Sequence, residues 1–166
     1  SNAAIRAVAG HILKKFHPYL FQVKTDTMDE SFQEIMLEAV RDAQRIIQRE
    51  APGSGTTLTA ALVIGQQVTV AHVGDSRAYF VFPDGRIEPI TRDHSLVKRL
   101  EELGHITPEE AVNYPHRNVL YRALGQGELL DPDIFTIAFP QPGYLMICSD
   151  GLWGVVAEQD IVRSVV

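Results

Sequence analysis

The sequence predicts an α+β layered domain, and three observations carry that expectation. Two segments with apolar residues at helical spacing come first, and runs of small, apolar and β-branched residues separated by tight turns follow. Helices clustered ahead of antiparallel strands also argue against a parallel sheet, which needs a crossover helix between successive strands.

The elements follow in chain order. Ser1-Asn2-Ala3 reads as a cloning scar, leaving residues 4–166 as the central part of a single domain. From Ala4 to His17, the residues Ile5, Val8, Ala9, Ile12, Leu13 and Phe16 make an apolar stripe, and Pro18 is expected to end the helix. Thr27 with Glu30 forms a capping box for a longer helix. Its stripe is Phe32, Ile35, Met36, Ala39, Val40, Ala43, Ile46 and Ile47, and Pro52-Gly53 stops it. These two helices are expected to lie antiparallel on a sheet.

Strands at Thr56 to Ile64 and Val68 to Val73 flank the turn Gly65-Gln66-Gln67, and a third strand follows almost at once. Pro83-Asp84-Gly85-Arg86 is a hairpin turn that returns the chain as Ile87 to Ile90. Ser95 to Leu103 reads as a short helix closed by Gly104, and Thr107-Pro108-Glu109-Glu110 starts another with a cap, an N1 proline and acids in the first turn. His105 to Asn118 is a polar surface excursion. Asp133 to Phe139 and Tyr144 to Ser149 are strands joined by Pro140-Gln141-Pro142-Gly143, and Gln159 to Val166 opens a helix.

Composition narrows the function. At 166 residues and 45% hydrophobic, the chain can bury roughly 70% of its unfolded surface as one domain. A net charge of −6 with interspersed signs gives no basic stripe for a nucleic-acid backbone. No apolar run approaches the roughly 20 residues of a membrane span, and no signal peptide opens the sequence. The single cysteine, Cys148, excludes an internal disulfide, reads as a core residue and fits a reducing, cytoplasmic setting.

Charged residues in apolar surroundings mark where chemistry can sit. Gly74-Asp75-Ser76-Arg77 interrupts chain that otherwise reads as buried, and a charge there needs a partner or a metal. Asp75 can pair with Arg77 at the bend, hold a cation, or do both. Gly55 and Gly74 mark tight backbone, because Gly53-Ser54-Gly55-Thr56 lacks the Lys-Ser/Thr ending of a phosphate-binding loop. Asp150, followed by Gly151, stands where a strand opens into a loop, as a turn residue or an oxygen ligand for a hard ion. His94 reads as a hydrogen-bonded structural histidine or a neighbour of the site, and Arg122 as the partner of a carboxylate. The other histidines have no spacing that suggests zinc.

Six pieces in one order carry a resemblance: Ser54-Gly55-Thr56-Thr57, Val73-Gly74-Asp75-Ser76-Arg77, Thr91-Arg92-Asp93-His94, Gly104-His105-Ile106-Thr107, Arg117 through Tyr121-Arg122-Ala123-Leu124-Gly125, and Ser149-Asp150-Gly151-Leu152-Trp153. Together they resemble the metal-dependent serine/threonine phosphatases of type 2C, the PPM family, in its compact bacterial form. The resemblance implies a sandwich of two antiparallel sheets flanked by helix pairs in αββα layers, with the 105–118 excursion as a flap beside the active site. It implies hydrolysis of phosphoserine and phosphothreonine in phosphoproteins by a water activated on Mg²⁺ or Mn²⁺. It implies Asp150 as a metal ligand and Asp75 as an acid that holds a further, weaker ion, with Gly74 and Gly151 forming the turns beside them.

The resemblance covers the middle of the family's domain. An Asp-Gly-x-Gly-Gly motif, a phosphate-holding arginine and a late Asp-Asn pair do not occur, and Gly154 stands where many relatives carry another Asp. The expectation is therefore a fragment of a phosphatase, cut at both ends, with metal binding weak or absent and little activity of its own. Two alternatives stand beside it: a pseudophosphatase acting as an interaction module, favoured by Gly154, and a phosphatase of the sporulation or stress-response regulator kind. Sheet edges lacking their partners are expected to drive a homodimer or a larger assembly.

Overall fold

Nineteen residues with few helix breakers form the first helix, and the computed structural model, which describes residues 1–20 and 32–166, places it at α1, Asn2–Leu20. Helix α1 takes in residues 2 and 3, set aside in the sequence reading, and the Ile5 N–H donates to the Ser1 carbonyl at 3.1 Å. Pro18 falls inside the last turn instead of ending the helix at His17. The N–H it lacks removes one bond where the ladder is about to end. The capping box at Thr27 and Glu30 lies outside the described residues.

Helix α2, Phe32–Glu50, buries Ile35, Met36, Ala39, Val40, Ala43 and Ile47, close to the expected stripe. It also buries Gln44. Lys15 and His11 of α1 both reach Glu38, and His11 also reaches Asp42, so the two helices run antiparallel. The α1 stripe is only partly covered. Ala4 and Val8 are buried, whereas Ile5 at 59% and Leu13 at 65% are exposed. A stripe spanning positions i, i+3 and i+4 is wider than the face one neighbouring helix and one sheet can cover.

Among the described residues, six strands form two three-stranded antiparallel sheets. Sheet one holds β1 (Leu58–Ile64), β2 (Gln67–Val73) and β5 (Asp133–Ala138) in the order β1-β2-β5. Sheet two holds β3 (Arg77–Val81), β4 (Ile87–Pro89) and β6 (Tyr144–Cys148) in the order β4-β3-β6. Ile64 pairs with Gln67, so Gly65-Gln66 is a two-residue hairpin loop, with Gly65 at φ 58°. Thr56 lies outside β1 and instead bridges Leu124.

Strand β2 shows why the layers stack. Ala71 and Val73 join the core under α1 and α2, with Met36, Val40 and Leu58. Val68 and Val70 join a second core with Phe80, backed by Phe135, Phe139 and Leu145. The alternation of a strand thus puts a helix layer on one side of sheet one and sheet two on the other. The turn after β5 carries the chain across this sandwich, because β5 pairs with β2 while β6 pairs with β3.

The remaining helices among the described residues are α3 (Leu96–Glu102), α4 (Pro108–Val112), α5 (Asp150–Trp153) and α6 (Glu158–Val165). Thr107 caps α4 as expected, and does so as a capping box with Glu110. The 105–118 excursion leaves and rejoins at one place, since Ser95 bridges Leu120. Cys148 is part-exposed on β6, not a core residue, because that strand is the edge of its sheet.

Candidate active site

The chain passes from sheet one to sheet two at Gly74-Asp75-Ser76. Gly74 has φ 110°, and a Cβ there would meet Thr57 Cγ2 at 2.5 Å, so both conformation and space require glycine. Thr57 Oγ1 lies 2.8 Å from Ser76 Oγ, and the Thr59 hydroxyl donates to the Ser76 carbonyl at 2.9 Å. Strand β1 therefore grips the loop that carries Asp75, which is itself half-buried.

Asp150 does not stand in an open loop. It is the first residue of α5, directly after β6. Trp153 follows three residues later on the same side of the helix, and its indole N–H donates to the Asp75 carbonyl at 3.0 Å. That bond sets the start of α5 beside the Asp75 loop. The Asp75 carboxyl is held above the usual carboxylate range, first by burial and then by the negative charges of Asp150 and Asp93.

Arg77 does not pair with Asp75. Its Nε and Nη2 donate to the two carboxylate oxygens of Asp93 at 2.9 and 2.7 Å, and its guanidinium lies 3.5 Å from the Trp153 ring centroid. Burial works against the Arg77 charge, but the Asp93 bonds outweigh it and raise the pKa. The fork geometry of arginine explains the choice: Asp93 offers both oxygens in plane, sixteen residues along the chain.

Two histidines back this arrangement. His94 is buried; its Nδ1 accepts the Gly74 N–H at 3.2 Å, so Nε2 carries the proton and faces Asp133 Oδ2 at 3.1 Å. It is thus a structural histidine that also touches the candidate site through Gly74. His72 is buried against it, with ring centroids 4.9 Å apart. Nε2 of His72 donates to the Arg92 carbonyl at 3.0 Å, and Nδ1 lies 2.9 Å from the Thr59 hydroxyl.

Burial, then the neighbouring His94, pulls the His72 pKa from 6.5 to about 4, against the raising pull of the Arg92 carbonyl, Asp133 and Asp93. Above pH 6.5 both folded and unfolded chains hold the ring neutral. Between pH 6.5 and about 4 only the unfolded chain takes up the proton, so stability falls across that window and levels off below it. The loss is expected to total about 3 kcal/mol. Urea midpoints measured from pH 7 to pH 4 should fall less steeply in His72→Gln; equal slopes would contradict this account.

The family model described as Protein phosphatase 2C matches residues 7–166. The chain belongs to the protein phosphatase 2C family. The serine/threonine phosphatase stp of Listeria welshimeri is 43% identical over 115 residues, covering 68% of this chain and 45% of that protein. Its counterpart in Listeria monocytogenes serovar 1/2a is 39% identical over 138 residues, covering 81% of this chain and 54% of the relative. The chain thus spans about half the length of these curated relatives. Among solved structures, serine/threonine phosphatase Stp1 from Staphylococcus aureus superposes with a TM-score of 0.78 at 32% identity, covering 96% of this chain and 63% of that one. The PPM phosphatase MsPP from Mycobacterium smegmatis, in complex with cacodylate, gives 0.77 at 31%, covering 99% and 67%.

The family's chemistry tests the residues present. Asp75 and Asp150 supply hard oxygen donors suited to Mg²⁺ or Mn²⁺. Among the described residues, however, no group of three His, Cys, Asp or Glu side chains could hold an ion. Two carboxylates fit one part of a metal site and do not by themselves make a two-ion centre. Gly154 closes α5, and a Cβ there would meet the Asp150 carbonyl oxygen at 2.6 Å, so an acid at this position requires α5 to shift.

Two features escaped the sequence reading. Gln44, inside an apolar stripe, accepts the Gly125 N–H at 2.5 Å and donates to the Gln126 and Gly127 carbonyls at 3.2 Å. It thereby pins the 123–127 turn, and with it the Thr56–Leu124 bridge, to α2. A polar residue at a buried helical position is the available signal. Asp93, part of one of the six pieces, is the second: it binds Arg77 through both carboxylate oxygens. Arg122 meets the expected carboxylates, reaching Asp133 and Asp131 at 3.1 Å each.

Proposed function

We propose that the protein containing this chain hydrolyses phosphoserine and phosphothreonine in phosphoproteins, and that Asp75 and Asp150 are metal ligands. The observation that carries the reading is the Trp153 to Asp75 bond of 3.0 Å, which brings two separate carboxylate-bearing turns together at one end of the sandwich. A bound Mg²⁺ or Mn²⁺ would lower the pKa of a water and direct it at phosphorus. The residues of this chain orient that site. Trp153 stacks on Arg77, Arg77 is clamped by Asp93, and Gly74 and Gly151 leave the backbone beside both acids free of side chains. In this reading residues 4–166 belong to a single domain of the family.

The test is Mn²⁺-dependent release of phosphate from a phosphothreonine peptide by the longer protein. Asp150→Asn should lower kcat/KM by at least about a hundredfold. Activity that survives the substitution would remove Asp150 from the metal site. The described residues alone, with two carboxylates, should hold Mn²⁺ at millimolar rather than micromolar affinity by calorimetry.

Gly154 supports a second reading, a pseudophosphatase, because it supplies no oxygen donor where many relatives carry a further acid. The same hydrolysis assay separates the two.

We also infer self-association. Among the described residues β1, β5, β4 and β6 each pair on one side only. Edge strand β6 exposes Tyr144 and Ile147, and β1 exposes Val63 and Ile64. Open edges with apolar side chains recruit a second copy. Light scattering at micromolar concentration should give a mass above 18.5 kDa; a monomer at every concentration would overturn the inference.

A further inference from the structure

A cleft of about 510 Å³ opens where the exit of β4, helix α3 and the 117–125 segment meet. Its walls include Arg92, Arg99, Tyr121 and Arg122, with His94 and Asp133 among the lining residues. Three arginines from three separate stretches of chain line it. Glu102, Asp131 and Asp133 pair with two of these arginines, so the unbalanced positive charge of the cleft is that of Arg99.

The charges are not equally engaged. Arg92 reaches Glu102, and Arg122 reaches Asp133 and Asp131. Arg99 is exposed on α3 and makes no ion pair among the described residues. Each guanidinium carries five N–H donors, so the paired arginines keep donors to spare. Tyr121 packs beside His94 and under Arg122, giving the cleft an aromatic wall. His94 is buried and held neutral in its tautomer by Gly74, and that contact joins the cleft to the Asp75 loop.

We propose that this cleft binds a second anionic side chain, phosphoryl or carboxylate, of the phosphoprotein whose phosphorylated residue occupies the Asp75–Asp150 site. The proposal rests on the phosphatase reading for its partner. Its physics does not depend on hydrolysis: the unpaired Arg99 attracts an anion, and arginine forks bind phosphoryl and carboxylate oxygens in plane. Asp133 sits against Arg122 and His94, so it orients the arginine and leaves the outer donors to the ligand.

The test follows the arginine Nε–Hε signals of the ¹⁵N-labelled chain by NMR, without metal. Three peptides of one sequence are titrated, with phosphothreonine, glutamate or threonine at a single position. The anionic peptides should shift the Arg99 and Arg122 signals, and the threonine peptide should not. A shift by the phosphothreonine peptide alone identifies a phosphoryl group as the ligand; a shift by the glutamate peptide as well identifies any anionic residue. Arg99→Glu, on an exposed helix face, should weaken binding about tenfold, and Arg99→Gln by less. Signals that move equally with all three peptides, or an Arg99→Glu chain that binds as tightly as the parent, would overturn the proposal. A longer protein without phosphatase activity would remove the functional reading and leave these shifts in place.

Discussion

Asp93→Ala is expected to destabilise the fold by about 3 kcal/mol or more, the cost of leaving one member of a largely buried ion pair without its partner. The Asp93 side chain is 7% exposed and that of Arg77 29%, so little water is available to replace the two lost hydrogen bonds. The effect should reach the candidate site as well. Arg77 holds its place under Trp153 through Asp93, and Trp153 holds the Asp75 carbonyl. Because Trp153 is the sole tryptophan, its emission reports directly on that stack. Denaturant unfolding followed by fluorescence should show a lower midpoint and a red-shifted folded baseline. Adding Arg77→Met should recover part of the loss, since an apolar side chain there needs no counter-ion. A cost under about 1 kcal/mol, or a double variant weaker than the sum of the singles, would show that the pair is not what holds Arg77 in place under Trp153.

Gly74→Ala should cost at least as much, about 3 kcal/mol or more, for two reasons that add at one atom. An L side chain at φ 110° is strained, and its Cβ would press on Thr57 Cγ2 at 2.5 Å and Thr57 Cα at 3.1 Å. The close atoms all belong to Thr57, whose backbone is in contact and whose hydroxyl is bonded to Ser76, so it is not free to move aside. Gly53→Ala is the matched control. Gly53 also has positive φ, at 77°, but nothing lies within 4 Å of the added carbon. Its cost should stay near about 1 kcal/mol, the conformational part alone. Equal melting-temperature losses for the two variants would mean that close approach to Thr57 contributes nothing.

Element types were legible because their causes are local. Apolar spacing in Ile35, Met36, Ala39, Val40 and Ala43 makes a helix face wherever the segment ends up, and Gly65-Gln66 between β-branched runs makes a hairpin. Thr107 and Glu110 cap a helix with each other and need nothing else. The order of the six motifs was likewise enough to place the chain in its family, which the match over residues 7–166 bears out.

What the tertiary structure decided are the choices among partners that local spacing leaves equal. Arg77 had an acid two residues before it and took Asp93, because only there do both carboxylate oxygens meet the guanidinium plane. Strands β5 and β6, separated by the five residues 139–143, joined different sheets, since each follows the free edge that its own apolar face can cover. Gln44 is buried among apolar neighbours on α2 because the 123–127 turn uses both ends of its amide. On α1, Val8 went inside and Ile5 outside, although both belong to one apolar stripe. The sequence by itself determined which residues can be buried, charged or turned. Which of them meet depends on contacts closed across tens of residues, where the geometry of the assembled layers, and not the period of any one segment, selects the pair.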